Sequence, residues 1–201
     1  MKRIILLFIL HSSLFTLHFT LAQERIRDIY AAAPDSIFPL LTKNNRLDQI
    51  DFRENNMKAE VKNKFDGHSE LLVLSERYLQ LRLSDHCLVE MKLLSDSTFC
   101  MVQTYSAPAP DSRVRLFDTA WHELPQTINR PSVDDFLSED VDIDVRLALQ
   151  ALPLIKASLS PDDDTITFEL QTSELTREQR KLIEGKTRQI VQKVIAEEKR
   201  L

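Results

Sequence analysis

Paired carboxylates are the first chemistry that this chain could support. Acidic residues are dense in one stretch, which contains Asp134, Asp135, Glu139 and Asp140. Two carboxyl groups that converge in a cleft can hydrolyse a glycosidic bond, one as general acid and one as base or nucleophile. Charge runs between elements of secondary structure are more often solvated surface, and no motif brings these carboxyls together. A carboxylate hydrolase is therefore an alternative hypothesis.

Two acidic groups raise the possibility of a calcium site. Asp140, Asp142 and Asp144 have the spacing that begins a calcium-binding loop, but the glycine and glutamate that complete such a loop are missing. Asp162-Asp163-Asp164 occupies the tip of a predicted hairpin. Aspartate beside proline is also typical of an ordinary solvated turn. A calcium-dependent structural protein is the second alternative.

Other site types find little support in the sequence. His68, His86 and His122 do not have the paired spacing of a zinc motif. Gly67 and Gly185 are the only glycines, so phosphate-cradling loops and nucleophile elbows are nearly excluded. We therefore assign no catalytic, cofactor-binding or metal-binding residue and expect a non-catalytic protein.

The two cysteines belong to a predicted hairpin. Strands over residues 87–94 and 98–105, with Ser95-Asp96-Ser97 between them, place Met91 opposite Cys100 and Cys87 opposite Thr104. Four residues of strand span about 13 Å, whereas the Cα atoms of a disulfide lie within roughly 7 Å. Two buried free thiols are the prediction, and a Cys87–Cys100 bond is the alternative if the register differs.

Period-two alternation is the main structural signal. Apolar and charged residues alternate between residues 57 and 118, which predicts about six antiparallel strands with a hairpin turn at Asp66-Gly67. Four aromatic residues on or near the later strands favour a core rather than a binding face: Phe99, Tyr105, Phe117 and Trp121.

Helical patterns precede and follow this sheet. We predict a short helix over residues 36–41, a break at Asn44-Asn45, a second short turn or helix over 46–52, and a helix over 133–137. Residues 141–152 fit both strand alternation and helical spacing, and we predict a helix there. A second hairpin pairs 154–159 with 165–170. A terminal helix begins at the capping box of Thr176 and follows an apolar stripe to Ile195. The predicted fold is α+β: a mostly antiparallel meander sheet with flanking N- and C-terminal helices, in one domain over residues 23–201.

The first 22 residues have the pattern of a secretory signal. Lys2 and Arg3 precede an apolar run, small residues end it, and cleavage is expected after Ala22. Polar residues interrupt the run, so a membrane span is disfavoured, and we expect none in the mature chain. Cleavage changes the formal charge from −5 to −7, which argues against nucleic acid as a partner. We expect a periplasmic or secreted protein.

Several segments along the mature chain carry a family resemblance. They include residues 33–36, 40–48, 50–52, 57–61, 90–94 and 161–168. In these segments the chain resembles a domain-of-unknown-function family of exported Bacteroidetes proteins. The resemblance implies export and an α+β fold, and it supplies no activity or ligand. We expect a binding or interaction module whose partner is an envelope protein, a peptide or a glycan.

Overall fold

The alternating region forms a seven-stranded antiparallel sheet in the computed structural model, which describes residues 25–125 and 128–195. The predicted signal sequence and its cleavage site lie outside these residues. The strands follow each other in space as they do along the chain. Their bounds are β1 Glu60–Lys62, β2 His68–Leu74, β3 Tyr78–Ser84, β4 Cys87–Leu93, β5 Thr98–Ser106, β6 Pro110–Asp118 and β7 Glu123–Leu124. The first six confirm the predicted meander.

Two N-terminal helices cover one face of this sheet, α1 Ile26–Ala31 and α2 Lys43–Glu54. Phe99, Phe117 and Trp121 are buried beneath them, and the Trp121 indole Nε1 donates to the Ile29 carbonyl at 3.0 Å. Three of the four aromatic residues therefore belong to the core, as predicted. The fourth, Tyr105, is exposed.

The predicted helix break at Asn44-Asn45 is wrong. Thr42 Oγ1 accepts the Asn45 backbone N–H, and Asn45 Oδ1 accepts the Thr42 backbone N–H, so this pair begins α2 instead of ending a helix. The predicted helix over residues 36–41 is also wrong, because that segment forms turns. Buried Arg46 donates to the Ala33 and Leu41 carbonyls and thereby holds these turns against α2.

A three-stranded antiparallel sheet packs on the opposite face of the large sheet. It consists of β8 Ile155–Leu159, β9 Thr165–Leu170 and β10 Ile190–Lys193, in the order β10-β9-β8. Its inward residues share a core with Cys100, Val102 and Leu116 of the large sheet. β8 and β9 confirm the second predicted hairpin, so both faces of the meander are buried.

The predicted terminal helix is wrong beyond its first turns. The Thr176 capping box starts α5, Arg177–Leu182, but Gly185 adopts φ +73° and the chain then extends into β10. The apolar stripe there also fits period two, because Ile190 and Val194 contribute to the core while Val191 is exposed. β-branched residues favour that strand.

Two further helices complete the fold, α3 Val133–Phe136 and α4 Ile143–Ala151, and both confirm predictions. Val133, Val145 and Leu149 form a separate apolar cluster with Ile183, next to α5. Among the described residues, no helix has both the length and the apolar character needed to cross a bilayer.

The cysteines are free and buried, as predicted, although the strand register that separates them differs from the predicted one. The observed register pairs Cys100 with Lys92 and Cys87 with Tyr105, one residue away from the predicted register. Cys87 therefore faces the helix-covered core, and Cys100 faces the core under the small sheet. Burial raises the pKa of both thiols, which keeps them protonated.

Candidate functional site

The carboxylates between residues 134 and 140 cap helices and form ion pairs. Asp134 accepts hydrogen bonds from Arg146 and Gln150, and the Asp135 carboxylate accepts the Ser132 N–H and O–H at 2.8 Å each. The Ser132 bonds lower the pKa of Asp135, since they stabilise its ionised form. A general acid needs a raised pKa, so this geometry does not favour acid–base catalysis.

Asp140 has a similar structural role. The Ser138 hydroxyl donates to its Oδ1 at 2.8 Å, and Lys186 Nζ lies 3.0 Å from its Oδ2. These two contacts lower its pKa. Glu139 is exposed, and the Asp142 side chain caps α4 through the Asp144 N–H at 2.9 Å. Of the aspartates with the spacing of a calcium-binding loop, Asp142 therefore caps a helix and Asp140 forms an ion pair with Lys186.

The acidic hairpin tip at residues 162–164 faces basic groups. Lys92 Nζ donates to the Pro161 carbonyl at 2.7 Å, and Arg77, Lys92 and Lys193 line an open cleft of about 690 Å³ together with the tip. Asp163 Oδ1 accepts the Thr165 hydroxyl. Within residues 25–125 and 128–195, no group of three or more His, Cys, Asp or Glu side chains is placed to hold a metal ion.

Glu90 is the one buried carboxylate among the described acidic residues, and sequence reasoning missed it. It lies on β4 between the two sheets, is 4% exposed, and accepts the Tyr78 hydroxyl at 2.7 Å. Burial raises its pKa, while the bond from Tyr78 opposes that rise. Because it is sealed in the core, Glu90 has a structural role. Its position directly between the apolar residues Val89 and Met91 of β4 was the available signal.

β10 presents backbone groups at the outer edge of the small sheet. The Val194 N–H donates to the Asp164 carbonyl at 2.8 Å, and the register pairs Gln192 with Ile166. Hydrogen-bonding direction alternates along a strand. The N–H and C=O groups of Val191 and Lys193 therefore point away from β9. Within the described chain no further strand pairs with them.

The opposite edge of the small sheet is covered. The Ile155 N–H of β8 donates to Asp111 Oδ1 at 3.0 Å, and the Ala157 N–H donates to Ser112 Oγ at 2.8 Å. Both acceptors belong to β6, so side chains of the large sheet satisfy the outward donors of β8. Among residues 25–125 and 128–195, the unpaired edge of the small sheet is therefore the one along β10.

An open cleft of about 570 Å³ lies beside this edge. Residues 129–131, Asp135 and residues 188–192 line it, and the Gln192 amide donates to the Asn129 carbonyl at 3.0 Å. Two arginines line the cleft. Arg130 is occupied by the Ser112 and Pro153 carbonyls and by Asp111.

Residues 18–193 match the family described as "Protein of unknown function (DUF3256)". The chain belongs to this family. It is also similar to a solved structure titled "Structure of a domain of an uncharacterized protein from Porphyromonas gingivalis W83". The two chains are 22% identical, with a TM-score of 0.70 over 84% of this chain and 92% of that one. A search of curated proteins gave no match.

Family membership confirms the resemblance found in the sequence, and the solved structure supports the α+β fold alone. Neither comparison assigns an activity or a ligand. The exposed edge of β10 and its cleft were not predicted, because that segment was interpreted as helix. Gly185 and the alternation of Ile190, Val191 and Gln192 were the signals that favoured a strand.

Proposed function

We propose that this family member is an exported, non-catalytic module that binds an extended polypeptide segment by strand addition at β10. The observation that carries the proposal is the outward direction of the Val191 and Lys193 backbone groups beside an open cleft. In strand addition, backbone hydrogen bonds provide affinity and pockets for side chains provide specificity. The secretory pattern of residues 1–22 supports an envelope or extracellular location.

The character of β10 supports this function. Natural edge strands are usually protected by charges, proline, bulges or a covering element. Lys193 is the only charged residue of β10, and the Val191 side chain beside it is 60% exposed. The contrast with β8, whose outward donors are satisfied by Asp111 and Ser112, makes β10 the favourable edge.

Backbone hydrogen bonds alone should give this edge only a modest affinity for a peptide. Val191 and Lys193 offer two N–H and two C=O groups, and each net hydrogen bond contributes about 0.5–1.5 kcal/mol. Four such bonds contribute about 2–6 kcal/mol, and ordering of the peptide opposes this gain. Tighter binding therefore requires side-chain contacts within the cleft.

Val191→Pro tests the proposal directly. Proline removes the N–H that points away from β9, and proline is tolerated on the open side of an edge strand. Val191→Thr is the matched control, because it keeps the backbone donor and a β-branched side chain. Immobilised wild-type protein and the threonine variant should retain the same polypeptide from a cell-envelope extract, and the proline variant should lose it.

Retention of that polypeptide by a folded Val191→Pro protein would refute strand addition at this edge. Circular dichroism of all three proteins establishes whether each is folded. The location is tested separately by N-terminal sequencing of the protein from cell fractions. A first residue of Gln23 in the periplasmic or secreted fraction is expected, and an uncleaved cytoplasmic chain would contradict export.

A further inference from the structure

Arg188 lines the β10 cleft and is the residue that would determine which peptides bind there. We infer that the bound segment carries an acidic side chain, which the Arg188 guanidinium holds; this inference rests on the proposed strand addition. The ligand class is thus an extended peptide with an aspartate or glutamate at a defined position. The inference depends on how Arg188 is held and on which of its donors are free.

Hydrogen bonds hold both the backbone and the side chain of Arg188. Its backbone N–H donates to the Phe136 carbonyl at 3.0 Å, and its Nε donates to the Asp135 carbonyl at 2.7 Å. The two terminal guanidinium nitrogens have no hydrogen bond or ion pair with the described residues, and Arg188 is one of the residues that line the cleft. A guanidinium held in this way is preorganised for a bidentate bond to a carboxylate.

Asp135 also lines the cleft, and the charge of Arg188 is the smallest of the causes that lower the pKa of the Asp135 carboxyl, so Asp135 compensates this charge only in part. The Asp135 carboxylate already accepts two hydrogen bonds from Ser132. Glu169 accepts the amide of Gln189, the residue next to Arg188. Arg130 is engaged by protein acceptors, so Arg188 is the lining cation whose terminal donors have no partner among the described residues. Charge complementarity therefore favours an acidic guest.

The position of Arg188 along the chain sets where the acidic residue of the bound segment should lie. Residues 129–131 also line the cleft, so a segment added along β10 would lie close to them as well as to the strand edge. Arg188 and Val191 are three positions apart, which corresponds to at most about 10 Å of extended chain. The acidic residue of the bound peptide should therefore lie about three positions from the peptide residue that pairs with Val191.

A selection experiment tests this inference. Random short peptides displayed on phage are selected against four immobilised forms of the exported protein: wild type, Arg188→Gln, Val191→Pro and Arg113→Gln. Arg113 is an exposed residue of β6 outside the cleft, so its variant controls for the loss of one positive charge. Wild type and Arg113→Gln should enrich peptides with an acidic residue at one fixed position. Arg188→Gln should lose that preference, and Val191→Pro should enrich no peptide.

Affinity measurements on the selected peptide then give the size of the effect. Hydrogen bonds to charged groups contribute about 1.5–3 kcal/mol, so Arg188→Gln should weaken binding by about tenfold to a hundredfold. Replacing the acidic residue of the peptide by its amide should weaken binding similarly, and combining both changes should add little further loss. Fluorescence anisotropy with labelled peptide measures all four combinations.

The outcomes separate this inference from the proposed function. If wild type enriches peptides without an acidic preference and Val191→Pro enriches none, strand addition stands and the role of Arg188 is refuted. If wild type enriches no peptide, or if folded Val191→Pro enriches the same peptides as wild type, both proposals fall.

Discussion

Ser112 joins the small sheet to the large one, and its removal should destabilise the protein measurably. The residue is 3% exposed on β6. Its Oγ accepts the Ala157 N–H of β8 at 2.8 Å and lies 2.8 Å from the Thr104 hydroxyl, with which it shares a hydrogen bond. Ser112→Ala leaves the buried Ala157 N–H and Thr104 hydroxyl without this partner.

The expected cost follows from those two contacts. A buried polar group that loses its partner costs about 1–3 kcal/mol. In a domain of this size, 1 kcal/mol lowers the melting temperature by about 2–4 °C. Ser112→Ala should therefore lower the melting temperature by about 2–12 °C, toward the upper end because two groups are affected.

Thermal unfolding followed by circular dichroism measures this effect. Ser158→Ala is the matched control, because Ser158 lies on β8 and its hydroxyl has no hydrogen bond with the described residues. That variant should stay within about 0.5 kcal/mol of wild type. If both variants melt at the same temperature, the inter-sheet hydrogen bond is not a significant source of stability.

Two further predictions concern buried ionisable groups. Because the pKa of Glu90 is raised in the folded state, its contribution to stability is lost as pH rises from about 4.3, the unfolded value, through the folded pKa. Glu90→Gln should therefore gain stability relative to wild type with rising pH in urea titrations, and a constant difference would contradict this. Cys87 and Cys100 should react with a thiol reagent only after unfolding; the mass of a disulfide-bonded chain would refute that expectation.

The sheet could be predicted because its signal is local. Alternation along β1 to β6 is visible in the residue types themselves, and turn residues mark where each strand ends. Register could not be predicted with the same certainty. A hairpin loop one residue longer or shorter moves every side chain to the other face, and this placed Cys100 on the wrong side of the sheet.

Two errors came from patterns with more than one structural solution. Asparagine disrupts a helix interior but also favours its N-terminus, and Asn45 uses the second property to complete the capping box of α2. Ile190, Val191 and Val194 satisfy both helical and strand periods. Tertiary packing against β9 selects the strand.

The candidate site was out of reach of sequence reasoning because it depends on distant neighbours. Whether β10 lies at the edge or inside a sheet is decided by strand order, which the local sequence does not encode. Arg188 likewise obtains its orientation from the Asp135 and Phe136 carbonyls, about fifty residues earlier in the chain.

The side-chain bonds from Asp111 and Ser112 to β8 also limit how many molecules can associate through the small sheet. A fibre that grows by adding strands needs each subunit to pair on two opposite sides. Here one side is already occupied by the protein's own side chains. A strand added at β10 would therefore end the array there, so the proposed complex is one-to-one and does not extend into a fibre through this sheet.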